Sequence, residues 1–124
     1  MRMQSLTPML QTADMDRAIA WYRSTLGFEL ANRSEGWCVL RRDGVELMFM
    51  VNDELGAPSA TATQYINVDD VLALWDGLKG KVEPEWGPEK MDYGMLEFAI
   101  KDPDGYLLSF GQDVSAPAPE SRPA

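Results

Sequence analysis

The chain has 124 residues, 45% of them hydrophobic, which is enough for one packed core but too few for two independent domains of ordinary size. It carries 20 acidic against 11 basic residues and no histidine, for a formal net charge of -9. A field of that sign repels nucleic acid and anionic membranes, and the missing histidine excludes Ser-His-Asp and Cys-His catalysis and removes the commonest metal ligand.

The first ten residues carry Arg2 but no apolar run long enough for a signal peptide, and no later segment approaches the length of a membrane span. A soluble protein is expected. Ser5 to Gln11 reads as a strand. Thr12-Ala-Asp-Met-Asp then opens a helix with Asp14 as its N-cap. Met15, Ile19, Tyr22 and Leu26 recur at helical spacing with Trp21 beside them, and Gly27 stands where a helix end wants a residue tolerant of positive φ. Three β-rich stretches follow, Phe28 to Arg33, Gly36 to Arg42 and Val45 to Val51, with Asp43-Gly44 as a hairpin signal between the last two. Cys38, in the second of them, is the only cysteine, so no intrachain disulfide can form and the cytoplasm is the expected compartment.

After a loop containing Gly56, Ala57 and Pro58 the pattern restarts. Thr61 to Val68 reads as a strand, and Asp69-Asp70 opens a helix carrying Val71, Leu74, Trp75 and Leu78. Strands are predicted at Lys81 to Glu85, Met95 to Lys101 and Tyr106 to Gly111. From Asp113 onward neither periodicity nor core residues remain, which predicts a disordered tail over 113–124.

Each half is therefore βαβββ. Two short stretches support repetition: Gln11 to Trp21 aligns with Tyr65 to Trp75, pairing Asp16 with Asp70 and Trp21 with Trp75, and Asp43 to Phe49 aligns with Asp104 to Phe110. The expected fold is α+β, one domain over 1–112 made of two βαβββ modules at about 1–55 and 60–112, with a curved mixed sheet around a cup.

Asp14-Met-Asp-Arg-Ala-Ile-Ala-Trp-Tyr-Arg-Ser-Thr-Leu-Gly-Phe near the start and Glu97-Phe-Ala-Ile-Lys-Asp-Pro-Asp-Gly-Tyr near the end carry a resemblance to a known family. In this order and spacing the chain resembles the vicinal-oxygen-chelate superfamily of glyoxalases, bleomycin-resistance proteins and extradiol dioxygenases, over nearly its whole length to Gln112. Tyr93-Gly-Met-Leu-Glu-Phe-Ala looks closest to the bleomycin-binding branch. The resemblance implies metal ligands on the first and last strand of each module, and those positions fall on Thr7, Met48, Thr63 and Ser109. Neighbouring alternatives, Ala62 or Gln64 for Thr63 and Glu46 for Met48, supply at most one carboxylate. None of the four suits zinc, nickel or iron, so neither metal nor other cofactor is expected.

Strand alternation separates a helix-facing set from a cup-facing set. The first comprises Leu6, Leu10, Cys38, Leu40, Val45, Leu47, Phe49, Ile66, Val68, Phe98, Ile100, Leu108 and Phe110. Facing the cup are Thr7, Met9, Gln11, Trp37, Val39, Arg41, Glu46, Met48, Met50, Thr63, Tyr65, Asn67, Glu97, Ala99, Leu107 and Ser109. Trp86 and Tyr93 flank Gly87-Pro88 in a loop at the cup mouth, where they either stack on a ligand or anchor the loop. The candidate ligand-binding residues are thus Trp37, Arg41, Glu46, Met48, Met50, Tyr65, Trp86, Tyr93, Glu97 and Ser109; Arg41 is a structural partner for the carboxylates, and Trp37, Met48 and Met50 equally suit plain packing.

The leading expectation is a metal-independent binder, of the bleomycin-resistance type that the resemblance implies, sequestering a cationic or aromatic molecule as a homodimer. The alternatives are a glyoxalase-like lyase or isomerase, or dioxygenase-related enzyme, and an interaction module without a ligand.

Overall fold

The computed structural model describes residues 1–51 and 62–115, so the loop predicted around Gly56-Ala57-Pro58 and residues 116–124 of the predicted tail lie outside the described residues. The elements run β1 (Met9–Gln11), α1 (Met15–Leu26), β2 (Glu29–Arg33), β3 (Trp37–Arg42), β4 (Val45–Met50), β5 (Thr63–Asn67), α2 (Val71–Leu78), β6 (Trp86–Lys90), β7 (Met95–Lys101) and β8 (Leu107–Asp113). The order is βαβββ twice, the α+β arrangement read from the sequence. No described helix is long and apolar enough to cross a membrane. Contacts divide the chain into two compact units, Met1–Ala60 with Asp102–Gly105, and Thr61–Lys101 with Tyr106–Ala124.

In the first unit, the Asp14 side chain accepts the Arg17 N–H at 3.0 Å, which satisfies one of the orphan donors at the start of α1. Gly27 ends the helix at φ 70, a left-handed conformation that favours glycine, and its N–H bonds the Arg23 carbonyl at 3.1 Å. Between these caps Met15, Ala18, Ile19, Tyr22 and Leu26 form the buried stripe. The sheet order is β1-β4-β3-β2, with β1 parallel to β4 and the other pairs antiparallel. Leu10, Cys38, Leu40, Leu47 and Phe49 are all buried, and the Tyr22 ring lies 5.1 Å from that of Phe49, so this parity faces α1 as alternation predicts.

The second unit repeats the plan with order β5-β8-β7-β6 and α2 capped by Asp70, which accepts the Ala73 N–H at 3.0 Å. Phe98 sits 5.2 Å from Trp75 of the helix and 5.1 Å from Phe110. The helix N-caps show that Asp70 corresponds to Asp14, two residues from the Asp16 of the sequence alignment.

Four expectations are corrected. β1 covers only Met9–Gln11, and Leu6 is 87% exposed rather than core. No strand forms over Lys81 to Glu85, because the chain is still turning off the helix there: Lys81 and Val82 both donate to the Leu78 carbonyl. The strand begins at Trp86 instead, so Trp86 lies on β6 and not in a loop, and Pro88 is accommodated because β6 is an edge strand with a register shift between Trp86 and Glu89. Finally, β8 continues through Asp113, and the Val114 N–H bonds the Gly94 carbonyl at 2.9 Å, so the ordered backbone passes the predicted start of the tail.

Candidate functional site

In each unit the face opposite the helix carries the polar and aromatic candidates, and the two faces differ in chemistry.

On the first unit, register places the side chains in cross-strand rows. Met9, Met48 and Val39 form one row, and Gln11, Met50 and Trp37 the next. The two-residue turn at Asp43-Gly44 sets Arg41 opposite Glu46. There the Arg41 Nε donates to Glu46 Oε2, and the Thr7 hydroxyl donates to Oε1 at 3.1 Å. The bond from Arg41 and then that from Thr7 hold the Glu46 carboxyl below its ordinary range. Arg41 is therefore the structural partner of Glu46. Trp37, Met48 and Met50 are half-buried, so they form an apolar surface only partly withdrawn from solvent.

The second unit presents Tyr65, Ser109, Ala99 and Trp86 in one row and Asn67, Gly111, Glu97 and Glu89 in the next. Glu97 is 3% exposed. Such a carboxylate needs hydrogen bonds, and two tyrosines supply them: the Tyr65 hydroxyl donates to Oε2 and the Tyr93 hydroxyl to Oε1, each at 2.8 Å. Tyr93 reaches back from the turn between β6 and β7, which is closed by the Gly94 N–H on the Met91 carbonyl at 3.0 Å. Both rings remain accessible, with Tyr65 44% and Tyr93 64% exposed. Burial of the hydroxyl end, then the bond to Glu97 and its charge, push the Tyr65 phenol up to about 12. Tyr93 is shifted upward chiefly by its bond to Glu97. Both are neutral donors at physiological pH, which leaves a carboxylate held by two phenol hydroxyls.

The bond from Tyr65 depends on Gly111. A Cβ there would overlap the Tyr65 hydroxyl and stand 2.7 Å from Cζ and 2.9 Å from Cε1. Gly111→Ala should therefore push Tyr65 off Glu97 and lower its pKa toward the ordinary value near 10. Because the displaced atoms end a flexible side chain, unfolding stability should change by less than about 1 kcal/mol. Tyrosinate absorbance during alkaline titration checks this; an unshifted curve would show that Gly111 does not position Tyr65.

Of the sequence candidates, the structure brings Tyr65, Tyr93, Glu97, Ser109 and Trp86 onto or beside one sheet face, and Trp37, Arg41, Glu46, Met48 and Met50 onto the other. Reasoning from sequence missed the two tyrosine bonds to Glu97, since side-chain reach from a turn has no periodic signature. It also missed the bond from Thr7 to Glu46, although the β1–β4 pairing makes those residues neighbours.

The metal positions implied by the superfamily can be tested on this register. Met48 pairs with Met9 and Ser109 with Tyr65, so Thr7 and Thr63 each stand two residues along the chain from those partners. Thioethers, a serine, a phenol already bonded to Glu97 and a carboxylate already bonded to Arg41 are a poor donor set for zinc, nickel or iron. Among the described residues no three Cys, Asp or Glu side chains gather at one point. The residues do not fit a catalytic metal.

A family model for the glyoxalase/bleomycin resistance protein/dioxygenase superfamily matches residues 4–110, and the chain belongs to that superfamily. Its similarity reaches the bleomycin-resistance branch: a bleomycin resistance protein from Klebsiella pneumoniae is 30% identical over 115 residues, spanning 86% of this chain and 90% of the relative. A lactoylglutathione lyase from Haemophilus influenzae is 31% identical, spanning 91% of this chain and 95% of its own. The crystal structure of a bleomycin-binding protein complexed with bleomycin is similar with a TM-score of 0.72 at 28% identity, covering 89% of this chain and 98% of that one.

Proposed function

We propose that the chain binds a cationic or aromatic small molecule without a metal ion, sequestering it without chemical change, and that bleomycin is a representative ligand. The observation that carries this is Glu97, a buried carboxylate held by two tyrosines that are themselves exposed. A cation is attracted by the carboxylate and by the ring faces together. Tyr65, Tyr93, Glu97, Trp86 and Ser109 form the proposed contact surface, all on the second unit; on the first, Trp37, Met48 and Met50 with the Arg41–Glu46 pair are a separate candidate face. Likeness to a bleomycin resistance protein and to a protein solved with bleomycin supports the choice of ligand.

Isothermal titration of chelator-treated protein with bleomycin tests the reading. Binding with a dissociation constant at or below about 1 μM is expected, unchanged by adding back zinc or nickel. No heat and no thermal stabilisation at millimolar ligand would overturn it. The likeness to a lactoylglutathione lyase favours a second reading, an enzyme; formation of lactoylglutathione by nickel-loaded protein would establish it in place of sequestration.

The reading includes a cytoplasmic homodimer. Its support is the size of the chain, the exposed Met1, Met3, Leu6 and Met9 on the first unit, and a lone Cys38 thiol buried where it forms no disulfide. Light scattering at micromolar concentration checks the dimer, and a monomer mass would remove it.

A further inference from the structure

Three buried side-chain polar atoms among the described residues lack a hydrogen-bond partner: Asp104 Oδ2, Ser109 Oγ and Trp86 Nε1. Asp104 meets its needs through Oδ1, which accepts from Ala13 and Arg17. The other two share one cross-strand row of the second unit, on either side of Ala99. Ser109 is 2% exposed and Ala99 fully buried, so the free hydroxyl and the free indole N–H flank a small methyl floor, with Tyr65 at the far end of the row. Buried polar groups are nearly always paired, and two orphans in one row of a candidate binding face are the signature of polar contacts that a ligand completes.

The two atoms are complementary to a particular group. Trp86 Nε1 can only donate, whereas a serine hydroxyl donates or accepts. The adjacent row, about 7 Å along the strands, carries the cross-strand pair Glu97 and Glu89, which repels an anionic acceptor. A neutral carboxamide meets every condition, since its oxygen takes the indole N–H and its N–H reaches the hydroxyl. We propose that Ser109 and Trp86 form a subsite for the carboxamide of a ligand whose cationic centre lies one row away at Glu97. This inference rests on small-molecule binding at this face and adds the chemistry of the molecule.

The test uses two matched cations, the dimethylaminoethyl amide of benzoic acid and phenylbutyl-dimethylamine, which replaces the amide by methylenes. Each is titrated into isotopically labelled full-length protein while the indole N–H signals of its four tryptophans are followed, with Trp86 assigned from Trp86→Phe. The amide should move the Trp86 signal downfield and bind at least about fivefold more tightly than the alkyl probe. Ser109→Ala and Trp86→Phe should each erase that preference, so that either variant binds the two probes equally. Ser109→Ala breaks no bond present in the free protein, so its melting temperature should equal or exceed that of wild type. Equal affinity for the two probes, an unmoved indole signal at millimolar amide, or a lowered melting temperature in Ser109→Ala, as for a hydroxyl serving an internal water, each overturns the subsite. Bleomycin bound equally by wild type and both variants would remove the subsite but leave the proposed function standing. Amide preference without bleomycin binding would do the reverse.

Discussion

Glu97→Gln is expected to bind bleomycin about tenfold to a hundredfold more weakly than the wild type while folding normally. That factor corresponds to about 1.4–2.8 kcal/mol, at the low end of the cost of truncating one partner of a buried charge pair, because the tyrosine rings still offer their faces to a cation. The amide can still bond both phenols, since a tyrosine hydroxyl accepts as well as donates. Added salt should weaken the wild type more than the variant, because only the wild type has a full charge to screen. The geometry has its own readout in the Tyr65 phenol, which stands at about 12. Removing the carboxylate takes away its hydrogen bond and charge but leaves the burial, so the pKa should fall part of the way toward 10. A phenol whose folded pKa is raised contributes stability in full below about pH 10 and loses it as pH rises through about 12. Wild type should therefore lose more stability across that window than Glu97→Gln. Unchanged bleomycin affinity with a shifted tyrosine titration would mean that the centre is built as described but binds nothing.

The parts of this centre were legible in the sequence to different degrees. Glu97 and Tyr65 follow from alternation, because a strand with Phe98 and Ile100 on its helix side must turn Glu97 the other way. The Arg41–Glu46 pair follows from a two-residue turn at Asp43-Gly44, which fixes cross-strand neighbours by counting outward. What could not be read was reach across elements separated along the chain: Tyr65 and Glu97 are joined only by the pairing of β5, β8 and β7, and Gly111 matters only because Tyr65 lies over it. The third strand of the second half was misplaced for a local reason. Lys81 to Glu85 alternates like a strand, yet the backbone bonds made on leaving α2 take up its first two residues.

The motif near the end of the sequence, Lys101-Asp-Pro-Asp-Gly105, carried the family resemblance without any physical role, and the structure supplies one. Residues Asp102–Gly105 belong to the first unit, where Asp104 Oδ1 accepts the Ala13 N–H at 3.1 Å and the Arg17 guanidinium at 2.8 Å. Asp102, 5% exposed, accepts the Tyr22 hydroxyl at 2.6 Å. Tyr22 is fully buried, with ring centroids at 4.9 Å from Trp21, 5.7 Å from Phe28 and 5.1 Å from Phe49. Its ring and its hydroxyl thus do different work, and two substitutions separate them. Tyr22→Phe keeps the ring contacts but deprives a buried carboxylate of a donor, so it should lower unfolding free energy by about 1.5–3 kcal/mol, the range for hydrogen bonds to charged groups. Tyr22→Ala removes the ring as well and leaves a cavity against Phe49, for a loss of about 3–5 kcal/mol. Urea denaturation should show both as a lowered midpoint at unchanged slope. In a double-mutant cycle with Asp102→Ala, Tyr22→Phe should cost less than it does alone, because the carboxylate that accepts the tyrosine hydroxyl is gone. Full additivity would show that the bond contributes nothing and that this motif holds the first unit through Asp104 alone.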